Sequence, residues 1–150
     1  MINDAYIQIQ GHLAKSGYFQ EVLIGEPVSV RPENGHSAAI WTIGVRIPAT
    51  TCTKAIRVYD TKIRLYARAF QRDSKQVELG LADAVFRTTS ELLGEFDLGG
   101  HVREIDIGGM YGAPLRALWG YENLDNSVYR ICDLDMGIII ASVNETSMAR

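Results

Sequence analysis

A chain of 150 residues with 47% hydrophobic and 22% charged residues fits a single globular domain over residues 1–150 and excludes an intrinsically disordered protein. The net charge of −3 and the lack of a known nucleic-acid-binding motif argue against sequence-specific binding of DNA or RNA. No apolar run approaches the about 20 residues of a membrane span, and no signal-peptide pattern opens the sequence, so we expect cytoplasmic synthesis and no membrane contact.

The first half of the chain predicts one helix and three strands. Asn3 as N-cap and Gly17 as stop frame an amphipathic helix over residues 3–16. Its core-facing stripe comprises Tyr6, Ile9 and Leu13, with Ile2 and Ile7 nearby. The three strands are predicted over residues 18–24, 38–47 and 55–70. The second and third of these form a long hairpin.

The second half predicts one longer helix followed by three strands. The helix spans residues 74–94, with Ser74 as its cap and Gly94 as its end. Its buried stripe comprises Val77, Leu81, Ala84, Val85, Thr88 and Leu92. The strands are predicted over residues 101–108, 115–121 and 128–140. The order α-β-β-β-α-β-β-β predicts an α+β fold, with a mixed or antiparallel sheet and both helices on one face.

Charge is distributed unevenly along the chain. Residues 46–75 carry eight basic and two acidic side chains, a net charge of +6. Residues 76–150 carry five arginines and twelve carboxylates, a net charge of −7. These two regions can neutralise each other within one subunit. Alternatively, the basic region of one copy contacts the acidic region of the next, as in head-to-tail ring packing.

Alternation along the strands places many of these charges on one face of the sheet, opposite an apolar face that the helices cover. Cross-strand pairs on a solvated face explain this pattern, and so does a surface that contacts a neighbouring subunit. If this face or the basic hairpin contacts a neighbouring subunit, the hairpin supplies Arg57, Lys62, Arg64 and Arg68, and the acidic strands supply Glu104, Asp106, Asp133 and Asp135.

No motif for chemistry is recognisable in the sequence. His12, His36 and His101 are isolated, and the glycine clusters at 99–100 and 108–112 match no phosphate-binding pattern. Asp133 and Asp135 could hold a cation, but strand alternation explains their spacing. Cys52 and Cys132 fit buried or incidental thiols. We therefore predict no catalytic site, no cofactor and no metal.

Three stretches resemble the tail terminator family of long-tailed, siphovirus-type bacteriophages from actinobacterial hosts. Each is a set of turns and strand starts, and together they follow the family's order over about residues 20–140. The stretches are Glu26-Pro27 with Pro32-Glu33-Asn34-Gly35 and Ala38-Ala39-Ile40-Trp41; Phe96-Asp97-Leu98-Gly99-Gly100-His101-Val102-Arg103 with Asp106; and Gly109-Met110-Tyr111-Gly112-Ala113-Pro114-Leu115 with Gly120-Tyr121 and Tyr129-Arg130.

The resemblance implies a structural protein of the virion, made in the host cytoplasm, rather than an enzyme. Such a protein forms a hexameric ring on the head-proximal end of the tail tube, where it stops tube elongation. The opposite ring face docks the connector proteins of the head, and the centre leaves a non-specific passage for DNA. Alternatives are another head–tail neck protein, such as an adaptor or stopper, and a small ligand-binding domain.

Overall fold

A computed structural model describes residues 2–28, 35–50, 54–69, 73–94, 104–105, 109 and 114–143. The elements follow the predicted order, and the α+β class is confirmed. They are α1 (Ile2–Lys15), β1 (Phe19–Ile24), β2 (His36–Thr50), β3 (Lys54–Arg68), α2 (Ser74–Gly94), β4 (Glu104–Ile105), β5 (Arg116–Leu124) and β6 (Ser127–Val143). Of the predicted strand over 101–108, only the two residues of β4 lie within the described part.

The strands form one mixed sheet in the order β1-β2-β3-β6-β4, with β5 also paired to β6. β1 pairs with β2 in parallel, and every other pairing is antiparallel. β5 lies beside the first half of β6, from Ser127 to Asp135, while β4 lies beside Ile138 and Ile139. The long hairpin is β2–β3, whose strands have 15 residues each.

Both helices pack on one face of this sheet and share a single core with it. The predicted stripe of α2 is buried at every position, and Tyr6, Ile9 and Leu13 of α1 are buried as well. Ile7, by contrast, points to solvent. The Tyr6 hydroxyl shares hydrogen bonds with Thr42 (2.5 Å) and Thr61 (2.9 Å), which fixes α1 to the long hairpin.

Local signals set the ends of several elements. The cap of α2 is Asp73 rather than Ser74, because the backbone N–H of Gln76 donates to Asp73 Oδ1 at 2.9 Å. Gly17 ends α1 as predicted, with a φ of 71°. Asp125 and Asn126 form the two-residue turn between β5 and β6, and their φ values of 48° and 63° match a type I′ hairpin turn.

We expect the thiol of Cys132 to be unreactive in the folded protein. Cys132 is fully buried on the helix side of the sheet, and burial raises the pKa of its thiol to about 12. In a Cys52→Ser background, Ellman's reagent at pH 8 should label Cys132 only after unfolding in guanidinium. Rapid labelling of the native protein would contradict this burial.

Because the pKa of Cys132 differs between the folded and unfolded states, the free energy of unfolding depends on pH. The folded pKa lies above the unfolded value of about 8.5, so the contribution of this thiol to the free energy of unfolding is fully present below pH of about 8.5. It is lost as the pH rises from there towards the folded pKa of about 12.

Candidate assembly interface

Four of the eight predicted charged residues meet on the sheet face turned away from α1 and α2, which we call the outer face. Ile63 and Leu65 point into the helix-side core, so Arg64 between them points outward. The pairing of β3 with β6 sets Arg64 directly opposite Asp133 and Lys62 directly opposite Asp135. Side chains of directly opposed residues share a face, so these four charges are neighbours within one chain.

Arg64 and Asp133 form the central ion pair of the outer face. The guanidinium donates from Nε to Asp133 Oδ1 at 2.6 Å and from a terminal nitrogen to Oδ2 at 2.9 Å. The two side chains are only 14% and 16% exposed. The hydrogen bonds to Asp133 raise the pKa of Arg64 above its ordinary value. The guanidinium carbon also lies 5.4 Å from the centre of the Trp41 ring.

Further ion pairs connect this centre to the neighbouring strands. Lys62 Nζ lies 3.3 Å from Asp133 and 3.9 Å from Asp135. Contacts of 3.7 Å join Arg64 to Glu122 and Asp135 to Arg116, so the network reaches β5. A separate two-point pair joins Arg46 of β2 to Asp60 of β3, with both distances 2.8 Å.

The charge pattern of the sequence predicted the central residues of this network but not the charged residues around them. Arg46, Arg116 and Glu122 were not proposed, although each occupies an outward position on its strand. Their signal was strand alternation, which identifies a face but does not say which strands are neighbours.

The other proposed charges lie apart from this cluster. Arg57 is opposite Ile140, whose side chain belongs to the helix-side core, so Arg57 is on the other face. Arg68 is exposed at the end of β3, opposite Tyr129. Glu104 pairs with Ile139 near the far end of β6, and Asp106 lies outside the described residues. Ion pairing within the chain is thus observed for Lys62, Arg64, Asp133 and Asp135, and a contact between subunits stays a prediction.

The outer face also carries an apolar cluster that the sequence did not reveal. Its buried members are Ala39, Tyr66, Tyr129 and Ile131, with Leu23, Trp41 and Leu124 packed against them. The rings of Tyr66 and Tyr129 meet edge to face at 6.0 Å. Burial raises the pKa of Tyr66 to about 12. The outer face is therefore a partly buried surface rather than a fully solvated one.

Among the described strands, β2 has one long edge without a partner. β1 pairs with β2 only as far as Ile40, and within the described ranges no strand pairs with that side of β2 over residues 41–50. Ile43, Val45 and Ile47 in this segment are between 48% and 58% exposed. The outer edge of β1, by comparison, is contacted by α1, where the Gln10 side-chain amide donates to the carbonyl of Val22 at 2.7 Å.

A second open edge lies at the opposite end of the sheet. Among the residues placed by the structure, β5 pairs only with β6, so its other edge has no neighbouring strand. Three large apolar side chains are exposed on β5, namely Leu118, Trp119 and Tyr121. An open edge with exposed apolar side chains is a ready site for pairing with another chain. We call residues 41–50 the β2 edge and residues 116–124 the β5 edge.

Comparison with known proteins finds no family model that matches the chain and no curated protein that matches it. Neither helix, over its described residues, has the length and apolarity needed to cross a membrane. In the part of the chain that the structure describes, no three His, Cys, Asp or Glu residues are grouped so as to hold a metal ion.

We expect Asp133→Asn to lower the free energy of unfolding by about 2–4 kcal/mol, because it removes the closest counter-charge of the largely buried Arg64. Asp135→Asn is the matched control on the same strand. Its contacts are longer, at 3.7 and 3.9 Å, so we expect a loss below about 1 kcal/mol. Urea unfolding at pH 7 measures both values, and equal losses would contradict the central role of the Arg64–Asp133 pair.

Proposed function

We propose that this chain is a tail terminator protein that assembles head to tail into a ring and caps the head-proximal end of a phage tail tube. The α+β fold supports the proposal, because the resemblance of residues 20–140 to that family implies an α+β subunit. In this role the protein binds other proteins: one ring face contacts the tube, the other contacts the neck, and DNA passes through the centre.

The observation that carries the proposal is the pair of open edges at opposite ends of one sheet. The β2 edge and the β5 edge differ in sequence, so a contact between them is heterologous. Heterologous contacts repeat from copy to copy, and they produce a closed ring when the rotation between copies closes. Two equivalent patches would instead produce a twofold dimer.

In this proposal the outer-face ion pairs stabilise the subunit itself, whereas the sequence suggested that these charges form the contact between subunits. Lys62, Arg64 and Asp133 hold β3 to β6 inside one subunit, so reversing Arg64 would place a glutamate beside Asp133 and destabilise the subunit itself. Arg68 is the proposed basic residue best placed for a contact between copies, because it is exposed beyond the ion pairs.

Capping of tail tubes is the direct test of the function. The purified chain is added to tail tube protein during its polymerisation, and tube lengths are measured by negative-stain microscopy. We expect shorter tubes with a ring at one end, and light scattering should give the mass of a closed oligomer for that ring. Unchanged tube lengths with no ring at any tube end would overturn the proposal.

The same preparation separates the alternatives. An adaptor or stopper would bind isolated portal or connector rings and leave tube lengths unchanged. A ligand-binding domain would remain a monomer at every concentration and bind neither assembly.

A further inference from the structure

We propose that neighbouring copies join by placing the β5 edge of one copy antiparallel against the β2 edge of the next, with Trp119 and Tyr121 packed on Val45 and Ile47. The inference rests on the proposed function in one respect, namely that the chain assembles head to tail with copies of itself. It specifies the contact that makes the ring, which the proposed function leaves open.

Strand directions fit this joint. β2 runs antiparallel to β3, β3 to β6, and β6 to β5, so β5 and β2 point in opposite directions within one subunit. Head-to-tail repetition preserves the direction of every strand. The β5 edge of one copy therefore meets the β2 edge of the next in the antiparallel sense, which continues the pattern of the sheet.

The four apolar side chains that form the joint lie on the same face of the sheet. Val45 is opposite Tyr59, which packs against the helix-side core, and Trp119 is opposite Cys132 of that core. Tyr121, two residues after Trp119, shares its face. In a sheet that continues from copy to copy, these side chains therefore become cross-strand neighbours.

Charges on the outer face complement each other in the register that sets Val45 opposite Tyr121. In that register Arg46 is diagonal to Glu122 of the neighbouring copy. Both residues belong to outer-face ion pairs, Arg46 with Asp60 and Glu122 with Arg64. The joint therefore brings opposite charges together and extends the ion-pair network from one subunit to the next.

The two edges are offset along the strand direction, and this offset determines how far the strands tilt in a closed ring. Tyr121 is level with Arg130 and Ala67, close to the start of β2, whereas Val45 lies further along that strand. Joining them shifts each copy by about eight residues, or about 27 Å, along the strands. Each copy adds the four strands β2, β3, β6 and β5 to the continuous sheet, because β5 of the neighbouring copy lies on the same side of β2 as β1, and four strands span about 19 Å across. A closed ring then requires strands inclined by about 55° to its axis, which is steeper than in most β-barrels.

Disulfide trapping tests the joint itself. In a Cys52→Ser background, the pair Val45→Cys with Tyr121→Cys should form intermolecular disulfides under mild oxidation, giving a ladder of covalent oligomers on a non-reducing gel. The pair Ile47→Cys with Trp119→Cys should do the same, because the same register aligns both pairs. The control pair Ile7→Cys with Tyr121→Cys should give no ladder, since Ile7 is similarly exposed but lies on α1. Tail tubes are included if the free chain is a monomer.

The outcomes separate this inference from the proposed function. If rings or capped tubes form and neither predicted pair gives a ladder, the joint is wrong while the function stands. A disulfide to the tube protein in place of a ladder also overturns the joint. If neither rings nor capped tubes form, the proposed function itself fails.

A substitution pair gives an independent measure of the joint. Tyr121→Asp should weaken association at least tenfold in a light-scattering concentration series, with the far-ultraviolet circular dichroism unchanged. Phe86→Asp is the matched control, because Phe86 of α2 is 69% exposed and Tyr121 is 65% exposed. Equal association of the two variants would overturn the joint.

Discussion

The pairing of β3 with β6 is the constraint on which the rest of the structure depends. All 15 residues of β3 pair with β6 without a shift in register. Because side chains alternate between faces, a slip of one residue would turn Arg64 towards the helices and Ile63 towards solvent. Such a slip would bury an unpaired charge and expose core side chains at the same time. One register therefore specifies both the core and the ion pairs of the outer face.

Periodicity made much of this fold predictable, because it is a local property of the sequence. The stripe of α2 and the alternation around Arg64 follow directly from the spacing of apolar residues. Periodicity does not show which strands become neighbours, because Arg64 and Asp133 are distant in sequence and meet only when β3 pairs with β6. The open edges could not be predicted for the same reason: β2 and β5 have the pattern of paired strands, and only the topology of the described strands leaves one side of each without a partner. The cap at Asp73 was missed because Ser74 beside it is an equally good capping residue.

Pairing within the chain changes how assembly by this subunit is understood. Part of the uneven charge along the sequence is satisfied within one chain, because Lys62 and Arg64 of the basic region form ion pairs with carboxylates of β6 and β5. For the largely buried Arg64–Asp133 pair, we expect the larger contribution to be to a unique arrangement of β3 against β6 rather than to net stability. The proposed contact between copies consists mainly of backbone hydrogen bonds and apolar side chains, so salt screens it far less than it would screen a contact between charged surfaces.

An open strand edge can pair with unintended chains as well as with the next copy, and three features of the β2 edge restrict such pairing. Its pairing with β3 shifts register between Thr42 and Gly44 and again between Arg46 and Ala49, and Pro48 lacks a backbone N–H to donate. Only a short regular segment around Val45 remains for a neighbour, so a single joint is weak and uncontrolled stacking is discouraged. Closing a ring adds one more joint than an open row of the same copies has, and the last joint forms without further loss of translational freedom. Short edges therefore favour a closed ring over a growing filament, which is what a protein that terminates a tube requires.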